Sequence, residues 1–128
     1  MPRPAGRTPT DGELQILRVL WTRGPCTVRQ VHEALSDRDT GYTTTLKLMQ
    51  IMTEKGLLLR DDSKRPHIFR ASSSKEKTQR KLVTDLLKRA FNGSAAQLVL
   101  RALSTQHASP EELEKIRQVL DDLEREGK

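Results

Sequence analysis

Apolar residues recur at helical spacing along most of this 128-residue chain. The first predicted helix begins after Thr10, because Thr10 and Glu13 have the three-residue spacing of a capping box. It ends at the Arg-Gly-Pro sequence of residues 23–25, which does not continue a helix. The residues predicted to form its buried face are Leu14, Leu17, Leu20 and Trp21.

Two further short helices follow within the next 30 or so residues. Thr27 and Gln30 repeat the capping-box spacing, and Val28, Val31 and Leu35 then fall on one helical face. A polar turn is predicted at residues 36–41, followed by a third helix at residues 43–55 that ends at a C′ glycine, Gly56. Three short helices joined by tight turns are typical of a helix-turn-helix unit.

The segment after the third helix predicts a β-hairpin. Residues 57–60 form a short apolar strand, residues 61–66 a polar turn, and residues 67–71 an alternating return strand. A two-stranded hairpin directly after a three-helix unit is a wing. The histidine at the start of the return strand, His67, is interpreted either as a wing residue near a ligand or as packing at the sheet edge.

The remainder of the chain is predicted to be helical. One helix covers residues 74–91, Asn92-Gly93 breaks it, Ser94 and Gln97 form a further capping box, and Pro110 occupies the first turn of the last helix. Helices this short do not bury both faces alone, so we predict that they pair with the same helices of a second chain. The alternative is packing against the N-terminal domain of the same chain. The predicted dimerisation residues are Leu86, Phe91, Leu98, Leu113, Ile116, Leu120 and Leu123.

The predicted fold is therefore mainly α. It comprises a flexible tail at residues 1–9, a winged helix-turn-helix domain at residues 10–72, and an α-helical dimerisation domain at residues 73–128. Three helices and a two-stranded β wing form the N-terminal domain.

The third helix has a polar face that suits nucleic-acid recognition. Thr45, Leu48, Met49 and Met52 are predicted to face the core. The opposite side carries Thr43, Lys47 and Gln50, flanked by Leu46 and Ile51. Small hydroxyls allow close approach to phosphates or base edges, lysine reaches phosphate or guanine, and glutamine pairs with an adenine edge. Lys64 and Arg65 lie at the predicted wing tip. Each residue alone is equally compatible with an ordinary solvated surface; the order of the elements is what favours DNA.

The charge distribution supports that interpretation only in part. The formal net charge is +6 and the pI about 9.8. Residues 108–128 reverse the balance, with 7 Asp/Glu against 4 Lys/Arg. A basic body is a common footprint of nucleic-acid binders, but it also occurs in proteins that bind none.

Other chemistry finds little support in the sequence. The three histidines are scattered, no catalytic set or phosphate loop is present, and no metal site or cofactor is predicted. The single cysteine, Cys26, excludes an internal disulfide; it is interpreted either as a redox-sensitive thiol or as a buried structural residue. No apolar run approaches the length of a membrane span, so membrane insertion is not predicted and a cytoplasmic location is expected.

Several segments together resemble the penicillinase-repressor family of bacterial winged-helix regulators, the BlaI/MecI type. They are PTDGELQILRVLW, TVRQVHEAL, GYTTTLKLMQIMTEKGLL, RPHIFRA, FNGSAAQLVLRAL and SPEELEKIRQVLDDLE. The resemblance covers nearly the whole chain from Thr10. It implies a transcriptional repressor that binds a palindromic operator in double-stranded DNA as a homodimer, relieved by an upstream signal or proteolysis. It also implies a membrane-bound sensor protease as a partner. By position, Tyr42, Thr43, Thr44 and Lys47 would lie at the DNA, with Arg65 on the wing.

The sequence departs from that family in three places. Ile51 occupies a position that is commonly arginine in the family. Arg101-Ala102 stands where sensor-linked members have the Asn-Phe bond that is cleaved, and the C-terminal cysteine cluster of copper-responsive relatives is missing. An alternative function also remains open, a winged-helix adaptor that binds protein and no specific DNA, for which Leu46 and Ile51 would supply an apolar patch.

Overall fold

The computed structural model describes residues 8–35 and 41–127, and within these ranges the protein is mainly α-helical. The predicted tail at 1–9 and turn at 36–41 lie largely outside the described residues. Contacts divide the chain into two compact units, Met1–Asp85 and Leu86–Lys128. The elements in chain order are α1 (Asp11–Arg23), α2 (Val28–Ala34), α3 (Tyr42–Lys55), β1 (Leu58–Asp61), β2 (Ile68–Ala71), α4 (Lys75–Ala90), α5 (Ala95–Thr105) and α6 (Pro110–Glu126).

Local capping signals determine where most of these helices begin. The hydroxyls of Thr10, Thr27 and Ser109 each accept a hydrogen bond from the N3 backbone N–H, and the N3 side chain bonds back to the N-cap N–H. The capping box predicted at Ser94 is wrong in one respect. Ser94 accepts from the backbone N–H of Gln97, but the Gln97 side chain does not complete the pair.

The core of the first unit lies between α1, α2, α3 and the wing. The prediction for α1 was partly wrong, because Leu14 and Trp21 are only half-buried, whereas Ile16 is almost fully buried. Of the predicted core residues of α3, Leu48 is likewise half-buried. The buried apolar residues are Ile16, Leu17, Leu20, Cys26, Val28, Val31, Met49, Met52, Leu58 and Phe69.

The wing is an antiparallel pair whose register runs from Leu58 opposite Ala71 to Asp61 opposite Ile68. Its second strand has an additional partner in the loop between α1 and α2. Cys26 and Phe69 exchange backbone hydrogen bonds of 3.0 and 2.8 Å, and the Cys26 thiol, buried, donates to the carbonyl of Gly24 at 3.3 Å. This burial favours the structural interpretation of Cys26 over a redox-sensitive thiol.

The first half of α4 is packed as part of the first unit. The indole N–H of Trp21 donates to the carbonyl of Ser73 at 2.9 Å, and the hydroxyl of Ser72 donates to the carbonyl of Gly56 at 2.6 Å. Thr78 is buried. The first unit consequently extends to Asp85, inside α4.

Gly56 ends α3 in the left-handed conformation, with φ 86° and ψ 10°. Replacing it with alanine is expected to lower the free energy of unfolding by about 1–2 kcal/mol, because a Cβ strains this backbone although nothing crowds it. Urea unfolding measures the change. Gly12→Ala is the control: Gly12 lies in α1, and its added Cβ meets Leu48 at an ordinary 3.5 Å. Equal effects of the two substitutions would contradict the assignment of strain to Gly56.

The second unit contains the end of α4, then α5 and α6. Asn92 and Gly93 both have positive φ and separate α4 from α5. No residue between 86 and 127 is buried within the single chain. Phe91, Leu98, Leu113 and Ile116 are half-buried, whereas seven large apolar side chains are 40–67% exposed. These are Leu86, Val99, Leu100, Leu103, Val119, Leu120 and Leu123.

Candidate nucleic-acid interface

The outer face of α3 carries the polar side chains that the sequence predicted. Thr43, Thr44, Lys47 and Gln50 are all exposed, while Thr45 is buried on the core side. Leu46 differs from the others in the predicted set, because it is half-buried and packs against the core. Polar groups therefore dominate the surface that α3 presents to solvent.

The N-terminus of α3 begins without a side-chain cap. Gly41 is its N-cap and offers no hydroxyl or carboxylate to the first turn. The N–H groups of Tyr42 and Thr43 precede the first intrahelical bonds, which Thr44 and Thr45 make to the carbonyl of Gly41. The first turn also contains no acidic residue. Its partial positive charge is thus left uncompensated by the helix's own side chains.

A set of side-chain contacts joins α2 to the start of α3. Nδ1 of His32 and Oγ1 of Thr45 are hydrogen-bonded at 3.0 Å. The rings of His32 and Tyr42 meet edge to face with 5.8 Å between centroids, and the guanidinium carbon of Arg29 lies 5.0 Å from the Tyr42 ring centroid. Sequence reasoning included Tyr42 but missed Arg29 and His32. Their three-residue spacing on one face of α2 was the available signal, but their partners lie in a different helix.

The wing tip presents Lys64 and Arg65 in the turn at residues 62–66, all of which are exposed. Arg65 Nη1 donates to the carbonyls of Asp62 at 2.7 Å and Lys64 at 3.1 Å, which holds its guanidinium near the turn. The Asp61 carboxylate accepts from the hydroxyl and the backbone N–H of Ser63, and these hydrogen bonds lower its pKa.

The Asp62 carboxylate partly offsets the positive charge of the wing. Arg60 Nε lies 2.5 Å from the Asp62 carboxylate, and Nδ1 of His67 lies 3.9 Å from the same carboxylate. His67 is half-buried beside β2. Among the described residues, the wing cations Lys64, Arg65 and Arg70 take part in no ion pair.

A buried ion pair fixes the other end of α3. Lys55 Nζ lies 2.5 Å from Oε2 of Glu13, and the side chains are 17% and 1% exposed. Oε1 of the same carboxylate accepts from the Thr10 N–H at 2.9 Å, so Glu13 both caps α1 and holds α3. Burial alone would raise the pKa of Glu13, but the hydrogen bond from Lys55, those from Thr10 and the charge of Lys55 together lower it.

Nothing in the described ranges groups three or more potential ligands for a metal ion. None of the helices described combines the length and the apolar character that crossing a membrane requires.

The first unit begins with three helices followed by a two-stranded wing, and the third helix, α3, has an exposed polar face. This arrangement defines a winged helix-turn-helix protein. The model of the penicillinase repressor family matches residues 9–122. The chain belongs to this family, whose members are transcriptional regulators and not enzymes.

Two relatives are similar to this chain over most of its length. It is 33% identical over 116 residues to the transcriptional regulator BlaI of Mycobacterium tuberculosis, covering 89% of this chain and 83% of that protein. It is 24% identical over 114 residues to the penicillinase repressor of Bacillus licheniformis, covering 88% of this chain and 89% of the relative. The resemblance predicted from the sequence segments is confirmed.

Proposed function

We propose that this protein is a cytoplasmic repressor that binds a palindromic operator in double-stranded DNA as a homodimer. The observation that carries the proposal is the uncapped N-terminus of α3, which stands beside exposed Thr43, Thr44, Lys47 and Gln50. A helix N-terminus with free N–H groups favours phosphate. Hydroxyl, ammonium and amide groups on the adjoining turns supply contacts to the backbone and to base edges.

The proposed roles divide between positioning and sequence reading. Thr43 and Thr44 approach the phosphates at the start of α3, and Lys47 neutralises a phosphate or bonds guanine. Gln50, one turn from Lys47, offers the paired donor and acceptor that match an adenine edge. Lys64 and Arg65 bind the backbone beside the major groove through the wing.

Homodimerisation through the second unit is supported by its burial pattern. A helical unit in which no described residue is buried lacks a core of its own. Its exposed leucines and valines supply the apolar surface that a second copy would cover. A two-fold dimer presents two recognition helices, so the operator half-sites should be inverted repeats separated by about one helical turn or a small multiple.

The signal that relieves repression is a separate part of the proposal. Relief by an upstream signal, with a membrane-bound sensor protease as the partner, rests on the family resemblance. Arg101-Ala102 lies in α5 and is exposed at both residues. The adaptor alternative gains no support from α3, since Leu46 packs on the core and Ile51 is half-buried.

Replacing Lys47 and Arg65 with glutamine tests the proposed interface. Each substitution is expected to flatten the plot of log K against log salt by about 0.9, because each removes one phosphate neutralisation. Binding of purified protein to the DNA upstream of its own gene, and to a random duplex of equal length, measures the effect. Lys77→Gln in α4 is the charge-matched control, since α4 follows the base of the wing rather than its tip. Unchanged slopes for both variants would refute the proposed face.

A further inference from the structure

Arg29 has a defined place beside the recognition helix. It is exposed on α2, and its guanidinium lies over the Tyr42 ring at 5.0 Å from the centroid. Tyr42 is the first residue of α3, so this contact brings a fixed cation to the turn where the N–H groups are free. A guanidinium that lies over an aromatic ring keeps its N–H edge available for a second partner.

The Tyr42 ring is held by two side chains of α2, those of Arg29 and His32. The edge-to-face contact with His32, at an interplanar angle of 84°, comes from α2. His32 is bonded in turn to Thr45, which is buried in α3. The orientation of the ring is therefore set by the helix-turn-helix packing and does not depend on DNA.

We propose that Arg29 is a further phosphate-binding residue of the DNA interface, and that Tyr42 acts on DNA by positioning Arg29. The inference rests on the proposed function and deepens it. A guanidinium fork binds two oxygens of one phosphate at once. Holding it over Tyr42 before DNA arrives reduces the side-chain entropy that is lost on binding. Tyr42, which the family resemblance places at the DNA, becomes a positioning residue.

Four variants separate these roles. Arg29→Gln is expected to weaken binding about five- to tenfold on operator and random DNA alike, and to flatten the salt slope by about 0.9. Tyr42→Leu is expected to weaken binding about threefold and to retain the salt slope. The charge of Arg29 remains in this variant, but the aromatic ring that holds its guanidinium is lost. Tyr42→Phe keeps the ring and should match the wild type. Arg29→Lys keeps the charge without the planar fork and should retain the slope with weaker affinity.

The double variant Arg29→Gln/Tyr42→Leu gives the decisive comparison. If Tyr42 acts through Arg29, the double variant binds no more weakly than Arg29→Gln alone. Independent roles would make the two losses multiply, which would overturn the positioning role. Thermal unfolding of each variant, followed by circular dichroism, confirms that the compared proteins are folded.

The control for charge is Arg18→Gln, which removes an exposed arginine from the side of α1 that faces α4. It is expected to leave the salt slope unchanged. If Arg29→Gln behaves like Arg18→Gln while the wild type binds DNA with a steep slope, Arg29 does not bind phosphate. If the wild type itself binds neither duplex, the proposed function fails instead.

Discussion

Replacing Lys55 with methionine is expected to lower the free energy of unfolding by about 3 kcal/mol at pH 7. The substitution leaves the Glu13 carboxylate, 1% exposed, without its cation, and breaking a buried ion pair in this way typically costs about 3–5 kcal/mol. The lower end of that range applies because Lys55 retains some contact with water. Urea unfolding monitored by circular dichroism measures the loss.

The same variant should show a changed dependence on pH. In the wild type the pKa of Glu13 is lowered, so the pair stabilises the protein above the ordinary carboxyl range and that contribution is lost as the pH falls through the folded pKa. In Lys55→Met, burial still raises the Glu13 pKa and only the hydrogen bonds from Thr10 oppose it, so this pKa should be higher than in the wild type. Protonation of Glu13 then removes the cost of burying an unpaired carboxylate. The difference in free energy of unfolding between the variant and the wild type should therefore shrink as the pH falls from 7 towards 4.

Glu13→Gln provides the companion measurement for this pair. The amide oxygen preserves the bond from the Thr10 N–H and removes the buried charge, so the loss should be smaller than for Lys55→Met. A loss below about 1 kcal/mol for Lys55→Met at pH 7, without a pH trend, would show that the pair contributes little to holding α3.

The double substitution Leu120→Glu/Leu123→Glu is expected to convert a dimer into monomers. Both leucines are more than half exposed in the single chain, and two carboxylates on this face of α6 would be desolvated and opposed across a two-fold axis. Operator binding should weaken roughly 100-fold or more, because the second half-site no longer binds intramolecularly. Analytical ultracentrifugation and operator titration measure the two effects.

Gln118→Glu serves as the matched control on α6. It introduces the same carboxylate on the opposite helical face, where the existing contact is a 3.2 Å bond to Asp122. The control should remain dimeric. A dimer that survives Leu120→Glu/Leu123→Glu with unchanged operator affinity would place the dimer contact elsewhere on the chain.

Local signals explain why the helices and wing could be predicted from the sequence. Each helix boundary depends on residues within one helical turn of it. The examples are the capping boxes at Thr10 and Thr27, the proline at the start of α6 and the glycine after α3. The alternation through residues 67–71 likewise defined the return strand. Each feature requires no knowledge of what packs against it.

Contacts between distant residues could not be predicted in the same way. Glu13 was interpreted only as a capping residue, because its partner Lys55 lies 42 positions away. The hydrogen bond from Trp21 to Ser73 spans 52 positions, so no local pattern indicates it. Arg29 was missed because its contact with Tyr42 requires the angle at which α2 meets α3, and no residue pattern records that angle.

The hydrogen bond between Trp21 and Ser73 also allows intrinsic tryptophan fluorescence to monitor this part of the protein. The sequence contains one tryptophan, and its indole N–H is engaged at the segment that leads from the wing into α4. Emission excited selectively in tryptophan therefore comes from Trp21 alone, and emission from Tyr42 is avoided. A red shift or easier quenching by acrylamide would report release of the start of α4, and the signal can be followed while salt, DNA or an inducer is varied.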